Sequence, residues 1–279
     1  MTNDAQIEHW SGVGGERWAA DAAHFDRMLR PYLDRLLDGG DLQTGERVID
    51  VGCGPATSSL AAADAVGPDG TVLGVDISRP LLEVGRLRVT DAGLHNVELL
   101  DADAQTHLFA PGRADVVLSR FGVMFFDDPV AAFANLSVAL RPGGRLVFVC
   151  WRDALENEWI TEPAAVLFEH FALPADGPDP STSPFSLARS ERIHEVLGSA
   201  GFGAIQAVPF DVPTWVGATP ADTAEFFRGT ELARTLTEGA PEDRLAEAWR
   251  AVTDRLGAHQ SDDGIVLGGS AWLVSATRP

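Results

Sequence analysis

Apolar residues in this chain follow two rhythms. In five short stretches they run almost without interruption: Arg47–Val51, Thr71–Asp76, Val97–Leu100, Ala114–Arg120 and Arg145–Trp151. Between these stretches they recur at helical spacing, through Leu60 and Ala65, from Pro80 to Ala92, and from Pro129 to Leu140. Punctuation supports the division. Gly67-Pro68-Asp69-Gly70 turns the chain into the second run, Gly93 closes the second helix, and Asp127 or Asp128 caps a helix with Pro129 in its first turn. Near-continuous apolar strands are buried on both faces, as happens when helices cross over a parallel sheet. The alternation therefore predicts an α/β fold with a doubly wound, mostly parallel sheet.

The ends of the chain read differently. Residues 1–15 are polar and glycine-rich, and helical spacing from Glu16 to Leu37 is divided by Pro31 into two expected helices. After Trp151 the pattern predicts a helix over Glu156–Phe171, a proline-rich loop over 173–184 and a helix over Arg189–Ala200. A sixth strand over Ala204–Val212, helices over Pro220–Phe227 and Pro241–Leu256, and a last strand over Gly264–Ala276 interrupted at Gly268-Gly269 complete it. Helices over 1–40, 154–186 and 215–262 have no place in an alternating core, so they are expected to gather as a cap. No internal repeat divides the chain, which reads as one domain over 1–279. Its expected parts are an N-terminal helical lid over 1–41, a ligand-binding core over 42–151, and cap helices with the last two strands over 152–279.

Charge narrows the partners. Against 41 acids stand 21 bases, all arginine, giving a net charge of −20. Such a surface repels a phosphate backbone, so nucleic acid is not an expected partner. Cys53 and Cys150 are far apart with no CxxC spacing, which opposes a disulfide framework and a cysteine-rich zinc site. No metal site is expected. The polar, acidic start is unlike a signal peptide, and no apolar run is long enough to span a membrane. A cytoplasmic protein, monomeric or homodimeric, is expected.

Chemistry concentrates in the run Arg47-Val-Ile-Asp-Val-Gly-Cys-Gly-Pro-Ala-Thr57. A strand ending on Asp50, a turn through Gly52 and Gly54, and a helix starting near Thr57 let a ligand touch backbone directly. Asp76, at the end of the next strand, places a carboxylate where it can accept two ribose hydroxyls. A dinucleotide fingerprint would have its third glycine at Thr57 and would not include Asp50.

With these residues the chain resembles the class I S-adenosylmethionine-dependent methyltransferases, and within them the ubiquinone/menaquinone-type small-molecule group. Val48-Ile-Asp-Val-Gly-Cys-Gly-Pro55, Gly74-Val-Asp-Ile-Ser78, Asp101-Ala-Asp-Ala-Gln105 and Leu140-Arg-Pro-Gly-Gly-Arg-Leu146 carry the likeness. It is close over 45–151 and loose over 189–276. The motif's third glycine is Ala56 here, which makes the turn slightly less permissive. The resemblance implies a seven-stranded Rossmann-like sheet with its last strand antiparallel. It also implies S-adenosyl-L-methionine as cofactor, with S-adenosyl-L-homocysteine as product.

Residue by residue, the resemblance implies that Gly52, Cys53 and Gly54 pass beside the carboxypropyl and ribose groups. Asp50 would hold the turn or receive the ammonium through water; alternatively it only caps the turn. Asp76 would bind the ribose diol and Ile77 one face of adenine. Asp103 would accept from the adenine amine, with Ala104 N–H at a ring nitrogen. Ser119 and Arg120 would border the methionine part, though Arg120 could instead pair with Asp127 or Asp128. Cys53 reads as a small packed residue, not a nucleophile.

Methyl transfer from a sulfonium needs alignment more than proton transfer, so a conspicuous catalytic dyad is not required, and none is present. His24 and His170 are the histidines placed to face an acceptor, and each also reads as a packing or solvated residue. Trp10, Trp18, Phe25, Trp151, Trp159, Phe171, Phe185 and Trp215 fall in the expected lid and cap, with Trp18 also expected to touch the cofactor. Some of them would line a pocket for an apolar quinone, polyketide or other natural product. The expected activity is methyl transfer to such a molecule. A cofactor-binding enzyme running a non-methylating reaction, such as a cyclisation, and a cofactor-binding regulatory module are the alternatives.

Overall fold

The computed structural model describes residues 3–172 and 184–279. The five apolar runs form β1 (Arg47–Val51), β2 (Thr71–Asp76), β3 (Val97–Asp101), β4 (Ala114–Arg120) and β5 (Leu140–Trp151), all parallel. Their order is β3-β2-β1-β4-β5, so the chain reverses its winding between β1 and β4. Crevices at the carboxyl ends of strands open at such a reversal. Beyond β5 lie β8 (Gly264–Thr277) and then, at the edge, β6 (Gly203–Gly217); β8 runs antiparallel to both. This is the expected seven-stranded, doubly wound sheet. A two-residue strand, β7 (Gln260–Ser261), pairs with β8 and adds an eighth.

Helices cover both faces. α5 (Thr57–Val66), α6 (Arg79–Asp91) and α7 (Pro129–Ala139) are the crossovers, with Asp128 capping α7 through the Ala131 N–H. The Arg-Pro-Gly-Gly turn survives as a bulge. Leu140 pairs with Ala114 and Arg145 with Val116, leaving 141–144 outside the ladder with Gly143 at φ 71°. Asp115 fixes this end of the sheet. It accepts from the Arg47 backbone and guanidinium and from Arg141, which hold its carboxyl well below the usual range.

Four features refine the sequence pattern, each with a physical cause. The glycine-rich start is helical, forming α1 (Asp4–Ser11) and α2 (Val13–Ala20), followed by α3 (Ala22–Met28) and α4 (Arg30–Gly40). Glycine serves close packing here: a Cβ at Gly15 would overlap the Trp10 carbonyl and lie 2.6 Å from Ser78 Oγ. Gly268-Gly269 does not interrupt β8, because the Tyr32 hydroxyl fills the space of a Gly269 side chain and hydrogen-bonds Thr214 Oγ1 at 2.7 Å. β6 continues past Pro209 and Pro213 because an edge strand tolerates a missing donor. A short helix, α11 (Glu231–Thr237), follows α10 (Pro220–Arg228), with Thr230 capping it through the Ala233 N–H.

The remaining helices are α8 (Glu158–His170), α9 (Ser190–Ser199) and α12 (Glu242–Gly257). α8, α10, α11 and α12 pack on one another, while α1 and α2 pack on α6. The proline-rich loop over 173–184 lies, except for its last residue, outside the described residues. No helix among the described residues is long and apolar enough to cross a membrane.

Candidate functional site

At the carboxyl ends of β1, β2 and β4 the chain encloses a cavity of about 710 Å³. Its floor is the turn after β1. Gly52, Gly54 and Ala56 all have positive φ, at 67°, 53° and 65°. The Gly52 and Cys53 N–H groups donate to Val75 O at 2.8 and 3.2 Å, which ties the turn to β2. A Cβ on Gly52 would sit 2.6 Å from Gly122 Cα, and one on Gly122 would sit 2.6 Å from Val51 O. Two backbones pass in contact here, so neither position has room for a side chain. Gly122 was not singled out by the sequence reading; its only sign is its place two residues past β4.

The carboxylates divide into two kinds. Asp50 is fully buried behind the turn, where Oδ2 accepts from the Ser58 and Ser59 hydroxyls at 2.7 and 2.6 Å. Its Oδ1 has no partner, and burial pushes its pKa up against those bonds and the Arg120 charge. Asp76 faces the cavity. Its two oxygens accept from Gly54 N and Ser78 N, each at 2.7 Å, and burial nevertheless lifts its pKa to about 6. Asp103 also lines the cavity, accepting from Gln105 N at 2.9 Å and Thr106 Oγ1 at 3.2 Å. Ile77 and Ala104 flank it.

Cys53 lines the floor through its backbone; its sulfur lies 2.9 Å from where a Gly74 Cβ would be, under the turn. Burial raises its pKa well above the ordinary thiol value, so it stays a thiol. Ser119 does not reach the cavity. Its hydroxyl donates to Val51 O at 2.8 Å and accepts from Gly122 N at 3.1 Å, bracing the floor from behind. Arg120 does line the wall, and its partner is neither Asp127 nor Asp128. Its Nη2 lies 4.0 Å from Asp26 on α3, its side chain is 8% exposed, and Nη1 has no acceptor. Asp26 also pairs with Arg88 at 2.8 Å and accepts from Thr57 Oγ1 at 2.5 Å, so α3 is pinned to the start of α5.

The other half of the cavity is apolar. Trp10, Trp18, Phe25, Trp151, Trp159 and Phe226 line it, with Phe121, Met124 and Phe125. Trp18 stacks on Phe25 at 3.7 Å and Phe121 on Trp151 at 4.0 Å. Phe171, Phe185 and Trp215 are not among the lining residues. The N-terminal helices complete the enclosure: Ser11 Oγ donates to Ile77 O at 3.0 Å, and Asn3 Oδ1 accepts from Asp127 N at 3.1 Å. His24 lies outside, stacked on Phe226 at 4.5 Å with Nε2 buried and unpartnered, and burial lowers its pKa. His170 ends α8 away from the cavity, its carbonyl accepting from Arg244 at 2.5 Å. Among the described residues no cluster of His, Cys, Asp or Glu could hold a metal.

The cavity thus joins a polar end, able to accept from hydroxyl and amine donors, to an aromatic chamber able to hold a planar apolar molecule. Glycine turns and an orphaned guanidinium suit a ligand that carries its own carboxylate.

Comparison with known proteins gives the family. Residues 48–144 match the family described as a methyltransferase domain. Nocamycin O-methyltransferase of Saccharothrix syringae is 37% identical over 224 residues, covering 80% of this chain and 74% of that enzyme. Demethylmenaquinone methyltransferase of Listeria monocytogenes is 39% identical over 108 residues, covering 39% of this chain and 46% of the enzyme. The chain spans about half the length of the first curated relatives it matches. Among solved structures, phosphoethanolamine N-methyltransferase 2 of Haemonchus contortus in complex with S-adenosyl-L-methionine shares the fold. It has a TM-score of 0.57 at 18% identity, over 94% of this chain and 57% of that protein.

Proposed function

Because the chain belongs to the S-adenosylmethionine-dependent methyltransferase family, we propose that it transfers a methyl group from S-adenosyl-L-methionine to an apolar small-molecule acceptor. The observation that carries this reading is that the glycine floor and Asp76 adjoin Trp18, Phe25, Trp151 and Phe226 in one continuous cavity.

Bound there, S-adenosyl-L-methionine supplies an electrophilic methyl on a sulfonium. Asp76 accepts both ribose hydroxyls on its free lone pairs while Gly54 N–H and Ser78 N–H hold it in place. Asp103 accepts the adenine amine, with Ile77 and Ala104 on either side. The Arg120 guanidinium, which lines the cavity wall, would meet the methionine carboxylate. The aromatic walls would hold a planar acceptor beside the cofactor, and alignment of the two would lower the barrier. No lining histidine other than exposed His9 is present, in keeping with a displacement that needs little base assistance.

In this reading residues 1–41 act as a lid, 42–151 as the cofactor-binding core and 152–279 as the acceptor side of one domain. The acidic surface favours a small-molecule partner over nucleic acid, in the cytoplasm, with the protein a monomer or homodimer. Calorimetric titration with S-adenosyl-L-homocysteine should give one site per chain, and no binding would sink the proposal. Mass analysis of turned-over acceptors should show one added methyl group and released S-adenosyl-L-homocysteine; product formation without either would favour the non-methylating alternative.

A further inference from the structure

Three arginines line the cavity: Arg17, Arg120 and Arg234. Arg120 is buried in the cofactor wall opposite Asp26. Arg17 lies against Phe226 and Gly229, and Arg234, on α11, is exposed at the rim. Neither takes part in an ion pair within 4.0 Å among the described residues, although the chain carries 41 acids for 21 arginines. Glu8 and Glu231 also line the cavity and leave both arginines unpaired.

Arg17 is held in place. Its Nη2 donates to Phe226 O at 3.1 Å, near the end of α10. Its guanidinium occupies the space where a Cβ of Gly229 would stand, so glycine between α10 and α11 lets the planar group lie flat against backbone. Gly229 has φ −83°, an ordinary value, so its lack of a side chain is not a backbone requirement. The remaining N–H groups of Arg17 have no protein acceptor among the described residues. A fixed guanidinium fork with open donors, walled by Trp18 and Phe226, matches the planar geometry of a carboxylate.

We propose that Arg17, with Arg234 at the rim, receives an anionic carboxylate on the acceptor, so that the acceptor class is an aromatic acid and Arg17 selects it. This rests on the proposed methyltransferase reading. The acid's ring system lies between the aromatic walls while its carboxylate meets Arg17, away from the Arg120 subsite of the cofactor.

The test uses the full chain saturated with S-adenosyl-L-homocysteine, with anthraquinone-2-carboxylate and the neutral anthraquinone-2-carboxamide as probes, read by quenching of the lining tryptophans. A charge-assisted contact predicts that the carboxylate binds about 10- to 100-fold tighter than the amide. Arg17→Gln should reduce that preference to within about 3-fold, leaving the affinity for S-adenosyl-L-homocysteine unchanged. Gly229→Ala, which displaces the guanidinium while keeping the charge, should shift the preference the same way; unchanged melting of both variants shows that they fold. Equal affinity of the two probes for the unsubstituted protein, or a preference that survives Arg17→Gln, overturns the inference while S-adenosyl-L-homocysteine binding leaves the proposed function standing. Weakened S-adenosyl-L-homocysteine binding in Arg17→Gln also overturns it, by assigning Arg17 to the cofactor. Failure of the unsubstituted protein to bind S-adenosyl-L-homocysteine at all counts against the proposed function itself.

Discussion

Asp76 is the residue on which the cofactor reading can be tested hardest, because its geometry and its titration make separate demands. Each of its oxygens already accepts a backbone N–H at 2.7 Å, which leaves one lone-pair site on each for a ribose hydroxyl. Asp76→Asn replaces one oxygen with a donor that faces Gly54 N–H or Ser78 N–H and gives up one hydroxyl. The loss of a charge-assisted bond and the mismatch together cost about 3 kcal/mol, or roughly 100-fold in the Kd for S-adenosyl-L-homocysteine. Titration adds a signature that a merely structural role would lack. Burial moves the Asp76 pKa from 3.8 to about 6. Only the carboxylate accepts both hydroxyls, so the ligand favours the ionised form and binding weakens as pH falls through 6. At pH 5 roughly one tenth of the free protein is ionised, so the Kd should rise about 10-fold over its value at pH 7.5. Folding has the opposite sign. A raised carboxyl pKa contributes stability that is present below the unfolded value and lost as pH rises through 6, so the ligand-free protein carries a cost of up to about 3 kcal/mol at neutral pH. Calorimetry from pH 5 to 7.5 on both proteins decides the matter. A flat profile in the unsubstituted protein, or S-adenosyl-L-homocysteine binding undiminished in Asp76→Asn, would refute the assignment.

Three further outcomes follow from the same geometry. Gly122→Ala puts a Cβ 2.6 Å from Val51 O and 2.7 Å from Gly52 Cα, where only backbone could yield; it should lower stability by about 2–3 kcal/mol and weaken S-adenosyl-L-homocysteine at least about 10-fold. Normal melting with normal binding would show that the floor is looser than described. Asp26→Asn removes the Arg88 ion pair and leaves buried Arg120 without its nearest protein carboxylate, at a cost of about 2 kcal/mol read by urea unfolding; an unchanged midpoint contradicts the pinning of α3. His24 has a pKa lowered chiefly by burial, so its contribution is present above the unfolded value and lost as pH falls through the folded one. His24→Phe should therefore stabilise by about 1 kcal/mol at pH 5.5 and by less at pH 8; a gain independent of pH would show that His24 does not titrate in this window.

The polar half of the cavity was legible because its parts are local. Asp50, Gly52, Gly54, Asp76 and Asp103 stand at strand ends, and continuous apolar runs announce those strands. The chemistry is also local: Ser58 and Ser59 answer Asp50 from the next helix, and Ser78 answers Asp76 from two residues away. What was missed depends on distant partners. Gly122 is required only because Gly52 lies against it, and Arg17 is placed by Gly229 across more than two hundred residues. Neither pairing leaves a local sign, since a glycine after a strand and an arginine on a helix are ordinary. The helical start was legible, but the purpose of its glycines was not: they permit close contact of α1 and α2 with each other and with Ser78.

The same contrast bears on how substrate choice is built. The cofactor floor hangs on the sheet, held by backbone donors that cannot move without disturbing β1 and β2. The aromatic chamber is lined by side chains on α1, α2, α3, α8 and α10, with Trp151 at the end of β5 and Phe121, Met124 and Phe125 just past β4. Substitution at Phe226 or Trp159 changes the chamber's shape without touching a backbone hydrogen bond of the floor, so acceptor preference can change while cofactor binding stays. Asp26 and Trp18 are exceptions. Asp26 sits on the chamber's helices yet reaches Thr57, Arg88 and Arg120, and Trp18 lines the shared cavity while stacking on Phe25. Changes there should alter cofactor and acceptor affinity together, which makes the two residues the structural link between the polar and the aromatic ends of the cavity.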